Sequence, residues 1–192
     1  MSIIIRDISY LVRQAGQVET DCDLLLDGNR IVEIGKNLPA PVGTRELQGR
    51  DCVVMPGWVN AHTHLYQNFL KGVSAGIPLV PWCNEVLFPT VGALREAFIA
   101  GNRQPAYLWS IAAAMEMIKS GTPCCLDMDV TMAETVKAWQ DIGLRGAAAY
   151  TLTNKWVPEE LRSQEEEMRR STLRFVETWH HPQGLTQVSL AP

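Results

Sequence analysis

His62 and His64 are the residues in this chain best suited to chemistry. They close the stretch Val53-Val54-Met55-Pro56-Gly57-Trp58-Val59-Asn60-Ala61-His62-Thr63-His64, an apolar run that reads as a buried strand over residues 52–64. Strand side chains alternate, so positions i and i+2 face the same way. Two neutral imidazoles side by side at a strand end supply half of a zinc or iron site. A bare His-x-His is a weak signal, and it equally describes two ordinary, partly buried histidines. The elements around the pair must decide.

Composition narrows the classes. The 192 residues, 46% apolar and 20% charged, suit a globular protein with one good core or two small ones. A net charge of -4 lacks the basic face that nucleic acid requires. The five cysteines are odd in number and form no C-x-x-C pair, which fits a reducing compartment better than a disulfide framework. The N-terminus Met1-Ser2-Ile3-Ile4-Ile5-Arg6-Asp7 has too short an apolar run for a signal peptide, and no stretch has the length of a membrane span. The expected setting is the cytoplasm, with neither nucleic acid nor membrane as a partner.

Residues 1–55 read as strands and turns, with a hairpin at Asp27-Gly28 between two apolar runs. From Cys52 the pattern becomes strand, helix, strand, helix. A long excursion over 65–100, rich in Gly, Pro and aromatics, suggests a functional loop region. Apolar residues at helical spacing predict helices over 102–120 and 132–142, and a third opens at Pro158 with Glu159 and Glu160 in its first turn. Strands are expected over 122–129, over 144–152 and from Leu185. Repeated βα units argue for a parallel sheet covered by helices, whose sites lie at the carboxyl ends of the strands. His62 and His64 sit at such an end.

The neighbouring residues are less decisive. Asp127 and Asp129 end the second of these strands on one face, where either could orient a metal-bound imidazole or cap the next helix. Gln67 carries an amide that donates and accepts at once, matching the edge of a purine, pterin or triazine. Trp82 could stack on a flat ring or simply pack, and Glu85 lies beside it. Cys124 and Cys125 read as inert strand thiols, and His180 and His181 as exposed.

The stretches "DGNRIVEIG" and "VVMPGWVNAHTHLYQNFLKG", with "PWCNEVLFP", "AAAMEMIKSGTPCCLDMD" and "LRGAAAY" farther on, resemble the amidohydrolase superfamily. Within it the chain looks like the branch of triazine hydrolases, S-adenosylhomocysteine deaminases and guanine-type deaminases. The resemblance implies a (β/α)8 barrel preceded by part of a small β-sandwich. Residues 1–55 would be the N-terminal share of that sandwich, and residues 56–192 the first four β/α units of the barrel. It also implies that the chain is the first part of a longer protein, inactive and poorly folded by itself, and that the full-length protein is a homo-oligomer.

The activity so implied is hydrolytic deamination of a small nitrogen heterocycle by hydroxide formed on one Zn2+, with Fe2+ as the other candidate metal. Removal of halide or alkylamine from a triazine is the rival, and an inert truncated product is the non-enzymatic one. His62 and His64 would be metal ligands, and Gln67 and Trp82 would bind substrate. No catalytic acid or base falls within the chain. Residues 185–192 contain no Lys and Asn60 replaces an Asp, both of which favour a single metal. Adenosine-type members hold ribose with a Glu two residues after a Pro, whereas here Pro89 is followed by Thr90 and Val91. That departure weakens a nucleoside substrate.

Overall fold

The computed structural model describes residues 1–192, which divide into two compact units, Met1–Gly57 and Trp58–Pro192. In the first, β1 (Ser2–Gln14) pairs antiparallel with β2 (Gln17–Asp27), and β2 with β3 (Arg30–Gly35), through the Gly28 turn expected from sequence. On the other side of β1 run two short parallel strands, β4 (Arg45–Gln48) and β5 (Val53–Val54). Ile8 and Leu11 of β1 are buried with Cys22 and Leu24 of β2, and Ile4 is buried in a separate cluster with Leu25 and Leu38. A bulge between Ile5 and Ile8 shifts the register and leaves Asp7 at a φ of 53°. Gly49 lies against this bulge and donates its N–H to the Arg6 carbonyl at 2.7 Å. A Cβ there would fall 2.8 Å from the Ile8 side chain, so only glycine allows the approach.

The second unit is a parallel sheet, β6 (Val59–Thr63), β7 (Cys124–Asp129), β8 (Arg145–Thr151) and β9 (Thr186–Ala191), in that order. The excursion after β6 holds a short turn, Leu65–Leu70, then α1 (Leu79–Trp82) and α2 (Phe88–Ile99), joined by a widened helical turn over Cys83–Leu87. Three helices, α3 (Gln104–Lys119), α4 (Met132–Ile142) and α5 (Glu165–Trp179), complete the mixed α/β unit. Met132, Val136 and Trp139 of α4, at helical spacing, are buried with Ala113 and Ala114 of α3, Cys125 of β7 and Phe175 of α5. Gly146, the second residue of β8, has a φ of 155°, and a Cβ there would lie 2.0 Å from the Cys125 carbonyl oxygen. The closeness of β7 and β8 therefore depends on that glycine. The sheet does not close: β6 and β9 are its two edges, and Trp58 and Val59 are 66% and 67% exposed beside the first of them. No helix is long and apolar enough to cross a membrane.

Three expectations need correction. The strand expected over 52–64 is two strands in two sheets, because Pro56 has no N–H for a ladder and interrupts it. The third helix starts at Glu165 rather than Pro158. Glu159–Leu161 form only a single short turn, Arg162 is extended, and three glutamates, Glu165–Glu167, take the positions the helix dipole favours. His180 is half-buried rather than exposed, and its Nδ1 accepts the Val188 N–H from within β9 at 3.2 Å; His181 is exposed as expected.

Candidate metal centre

His62 lies in β6 and His64 is the first residue beyond it, at the carboxyl end of the strand. β6 is not regular there. Asn60 faces Cys125 and Thr63 faces Asp127, so three steps on β6 match two on β7. The His62 N–H, freed by this bulge, is taken by the Asn60 Oδ1 at 3.2 Å. The two rings stand 5.0 Å apart between centroids at 87°. Bonds of about 2.0–2.1 Å from two imidazoles to one tetrahedral zinc place the ring centroids roughly 5 Å apart, so the spacing suits a shared ion. The His64 Nδ1 lies 2.5 Å from the Met128 carbonyl oxygen. A carbonyl only accepts, so Nδ1 carries a proton, and in the neutral ring Nε2 is the nitrogen with the lone pair. No group of three or more His, Cys, Asp and Glu side chains is arranged to hold a metal.

The carboxylates of β7 turn toward the helices. Asp129 accepts the Thr131 N–H at 2.6 Å, the Thr131 hydroxyl at 2.7 Å and the Thr135 hydroxyl, which also meets Ser110 on α3 at 2.9 Å. It holds the start of α4. Burial pushes this carboxyl up to about 6 against the opposing pull of those donors. Asp127 accepts the Leu65 N–H at 2.8 Å through Oδ1, while its buried Oδ2 has no partner. Burial, reinforced by the charge of Asp129, raises the Asp127 carboxyl well above its ordinary range.

Gln67 and His64 line one open groove of about 340 Å³ with Asn68, Lys71, Glu116 and Met117. The Gln67 amide donates to the Tyr66 hydroxyl at 3.1 Å. Burial keeps that phenol protonated. Lys71 pairs with Glu116 across the groove and holds the Glu116 carboxyl below its ordinary range. Trp82 is not among the groove residues; its indole N–H closes the loop onto the Val73 carbonyl at 3.3 Å. Glu85 is exposed. Sequence reasoning missed Met128, which acts through its backbone carbonyl and leaves no side-chain signal. It missed the Lys71–Glu116 pair too, since the two residues lie 45 positions apart.

Residues 53–192 match the Amidohydrolase family. The chain belongs to that family. This amidohydrolase chain is 27% identical over 193 residues to the 5-methylthioadenosine/S-adenosylhomocysteine deaminase of Caldanaerobacter subterraneus subsp. tengcongensis, covering all of itself and 42% of that protein. It is 31% identical over 158 residues to the 5'-deoxyadenosine deaminase of Methanococcus vannielii, covering 80% of itself and 35% of the relative. Its fold is similar to that of the atrazine chlorohydrolase from Arthrobacter aurescens TC1 complexed with zinc, with a TM-score of 0.80, 22% identity, and 98% of this chain on 46% of that one. The chain thus spans less than half the length of the relatives it matches.

Proposed function

We propose that the whole protein is a metal-dependent hydrolase that deaminates a small nitrogen heterocycle, with His62 and His64 as two ligands of one zinc. The observation that carries this is the imidazole pair at the carboxyl end of β6, with rings 5.0 Å apart and the His64 Nδ1–H committed to Met128. In this reading Met1–Gly57 contributes to a composite β-sandwich and Trp58–Pro192 forms the first four β/α units of a (β/α)8 barrel. The zinc in the atrazine chlorohydrolase of similar fold supports zinc over iron. A bound zinc lowers the pKa of water from about 16 toward about 7 and so supplies a nucleophile at neutral pH.

This chain's residues bind and orient. The Gln67 carbonyl oxygen remains free to accept from a ring amino group, beside the groove wall formed by Lys71 and Glu116. Val91, where a ribose-gripping carboxylate would stand, packs instead with Leu94 in an apolar cluster. The Thr90 hydroxyl donates to the Val86 carbonyl of the preceding turn at 2.7 Å. A free ring is therefore favoured over a nucleoside, although the named relatives are adenosine-type deaminases.

The test is ammonia release by the whole protein, stripped of metal and reloaded with zinc. The panel is guanine, 8-oxoguanine, isoxanthopterin, cytosine, melamine, 5'-deoxyadenosine and a chlorotriazine. Zinc-dependent ammonia from a free base supports the reading. Ammonia from 5'-deoxyadenosine alone overturns the ring preference, and chloride from the triazine without ammonia from any other compound overturns deamination.

A further inference from the structure

The two histidines are held unequally. The His62 ring makes no hydrogen bond and meets only the edge of His64. His64 is gripped twice by consecutive residues at the tip of β7. Its Nδ1–H donates to the Met128 carbonyl at 2.5 Å, and the peptide that follows it, Leu65 N–H, donates to the Asp127 Oδ1 at 2.8 Å. Nothing within the short Leu65–Leu70 turn caps it, so its leading N–H is one of the donors a helical start leaves open. Asp127 satisfies that donor from a neighbouring strand with a fully buried carboxyl. Its other oxygen bonds to nothing, and the charge acting on it is that of Asp129, not of a cation.

Resting on the metal reading above, we infer that Asp127 is a positioning residue: by accepting the Leu65 N–H it fixes the backbone of His64 where Met128 can hold the ring, leaving Nε2 aimed at the metal. The acceptor's place matters here, not its charge. Partners that orient a metal-bound histidine typically contribute about 10- to 100-fold to metal affinity.

Three variants of the whole protein separate the possibilities. Asp127→Ala removes the acceptor. Asp127→Asn keeps an acceptor of the same shape without the charge. Asp127→Glu keeps the charge but displaces the oxygens by one methylene. The first readout is the His64 tautomer and Nδ1–H exchange in metal-free protein labelled with ¹⁵N-histidine. The second is zinc affinity against a competing chelator.

Wild type and Asp127→Asn should both show a single Nδ1–H tautomer with slow exchange and zinc affinities within about threefold of each other. Asp127→Ala and Asp127→Glu should show mixed tautomers and zinc binding about 10- to 100-fold weaker. Should Asp127→Ala not fold, the Asn and Glu variants still decide, because a role for the charge reverses their order. A wild-type tautomer and affinity in Asp127→Glu, or a tenfold loss in Asp127→Asn, overturns the inference. Failure of wild type to bind zinc would instead overturn the metal reading, while the metal-free tautomer still reports on Asp127.

Discussion

Each unit buries aspartate, and the two treat it in opposite ways. In the first, Asp23 sits 2.8 Å from the Arg6 guanidinium and accepts the N–H groups of Asp7 and Leu38, each at 3.0 Å. Burial alone would raise it, but those three donors win and hold its carboxyl below the usual range. In the second, Asp127 and Asp129 meet hydroxyls and backbone N–H groups but no cation, and burial raises both. The contrast separates two uses of one side chain. Asp23 joins the β1 bulge, β2 and the loop at Leu38 by a compensated charge. Asp127 uses acceptor geometry to arrange the strand end at which the histidines lie, and Asp129 uses it to hold the start of α4.

If that division is right, damage to the two regions should show in different measurements. The largest effect belongs to His64→Ala. It should weaken zinc binding by more than the 10- to 100-fold typical of outer partners and abolish turnover, while the denaturation midpoint of the metal-free protein stays near wild type. A large fall in that midpoint would make His64 a structural residue. Next comes Asp23→Ala. It leaves the buried Leu38 N–H and the Asp7 N–H unmet and should cost the first unit about 2–4 kcal/mol in urea unfolding, with zinc affinity unchanged.

The pH dependence should then split by region. Asp23 has a depressed folded value, so its contribution is present above about pH 4 and is lost as pH falls through that lower value. Asp129 has a raised value, so the sign reverses. Its contribution is full below about pH 4 and is lost as pH rises through about 6. Thermal unfolding between pH 3 and pH 7 should therefore show Asp23→Asn reducing the acid loss and Asp129→Asn reducing the loss between pH 4 and pH 6. Identical profiles for the two variants would erase the distinction.

Much of this arrangement was legible in the sequence, because periodicity and punctuation report directly on backbone. The Gly28 hairpin, α4 with its stop at Gly143, and the parallel order of β7, β8 and β9 all follow from local pattern. What escaped was set by partners distant in sequence. The break at Pro56 needed a second sheet to claim Val53 and Val54. The bulge before Thr63 exists only relative to β7, and the Met128 carbonyl looks like every other carbonyl until His64 is folded against it. The His-x-His pair could be found by spacing, but the device that holds one of its rings could not.

The smallest effect expected tests how far the site extends along the excursion after β6. Gln67 and Trp82 are both polar-tipped and half-buried, and both were candidate substrate contacts. Gln67 shares a groove with His64 and keeps its carbonyl oxygen free, whereas the one donor of Trp82 is used by Val73. Losing one hydrogen bond to an uncharged substrate costs about 0.5–1.5 kcal/mol, so Gln67→Ala should raise KM roughly 2- to 12-fold with little change in kcat. Trp82→Phe should leave both parameters at wild type and lower only the stability of the loop around Val73, read as faster amide exchange there. A KM increase in Trp82→Phe matching that of Gln67→Ala would bring the loop into the site and shift the boundary between framework and chemistry some fifteen residues along the chain.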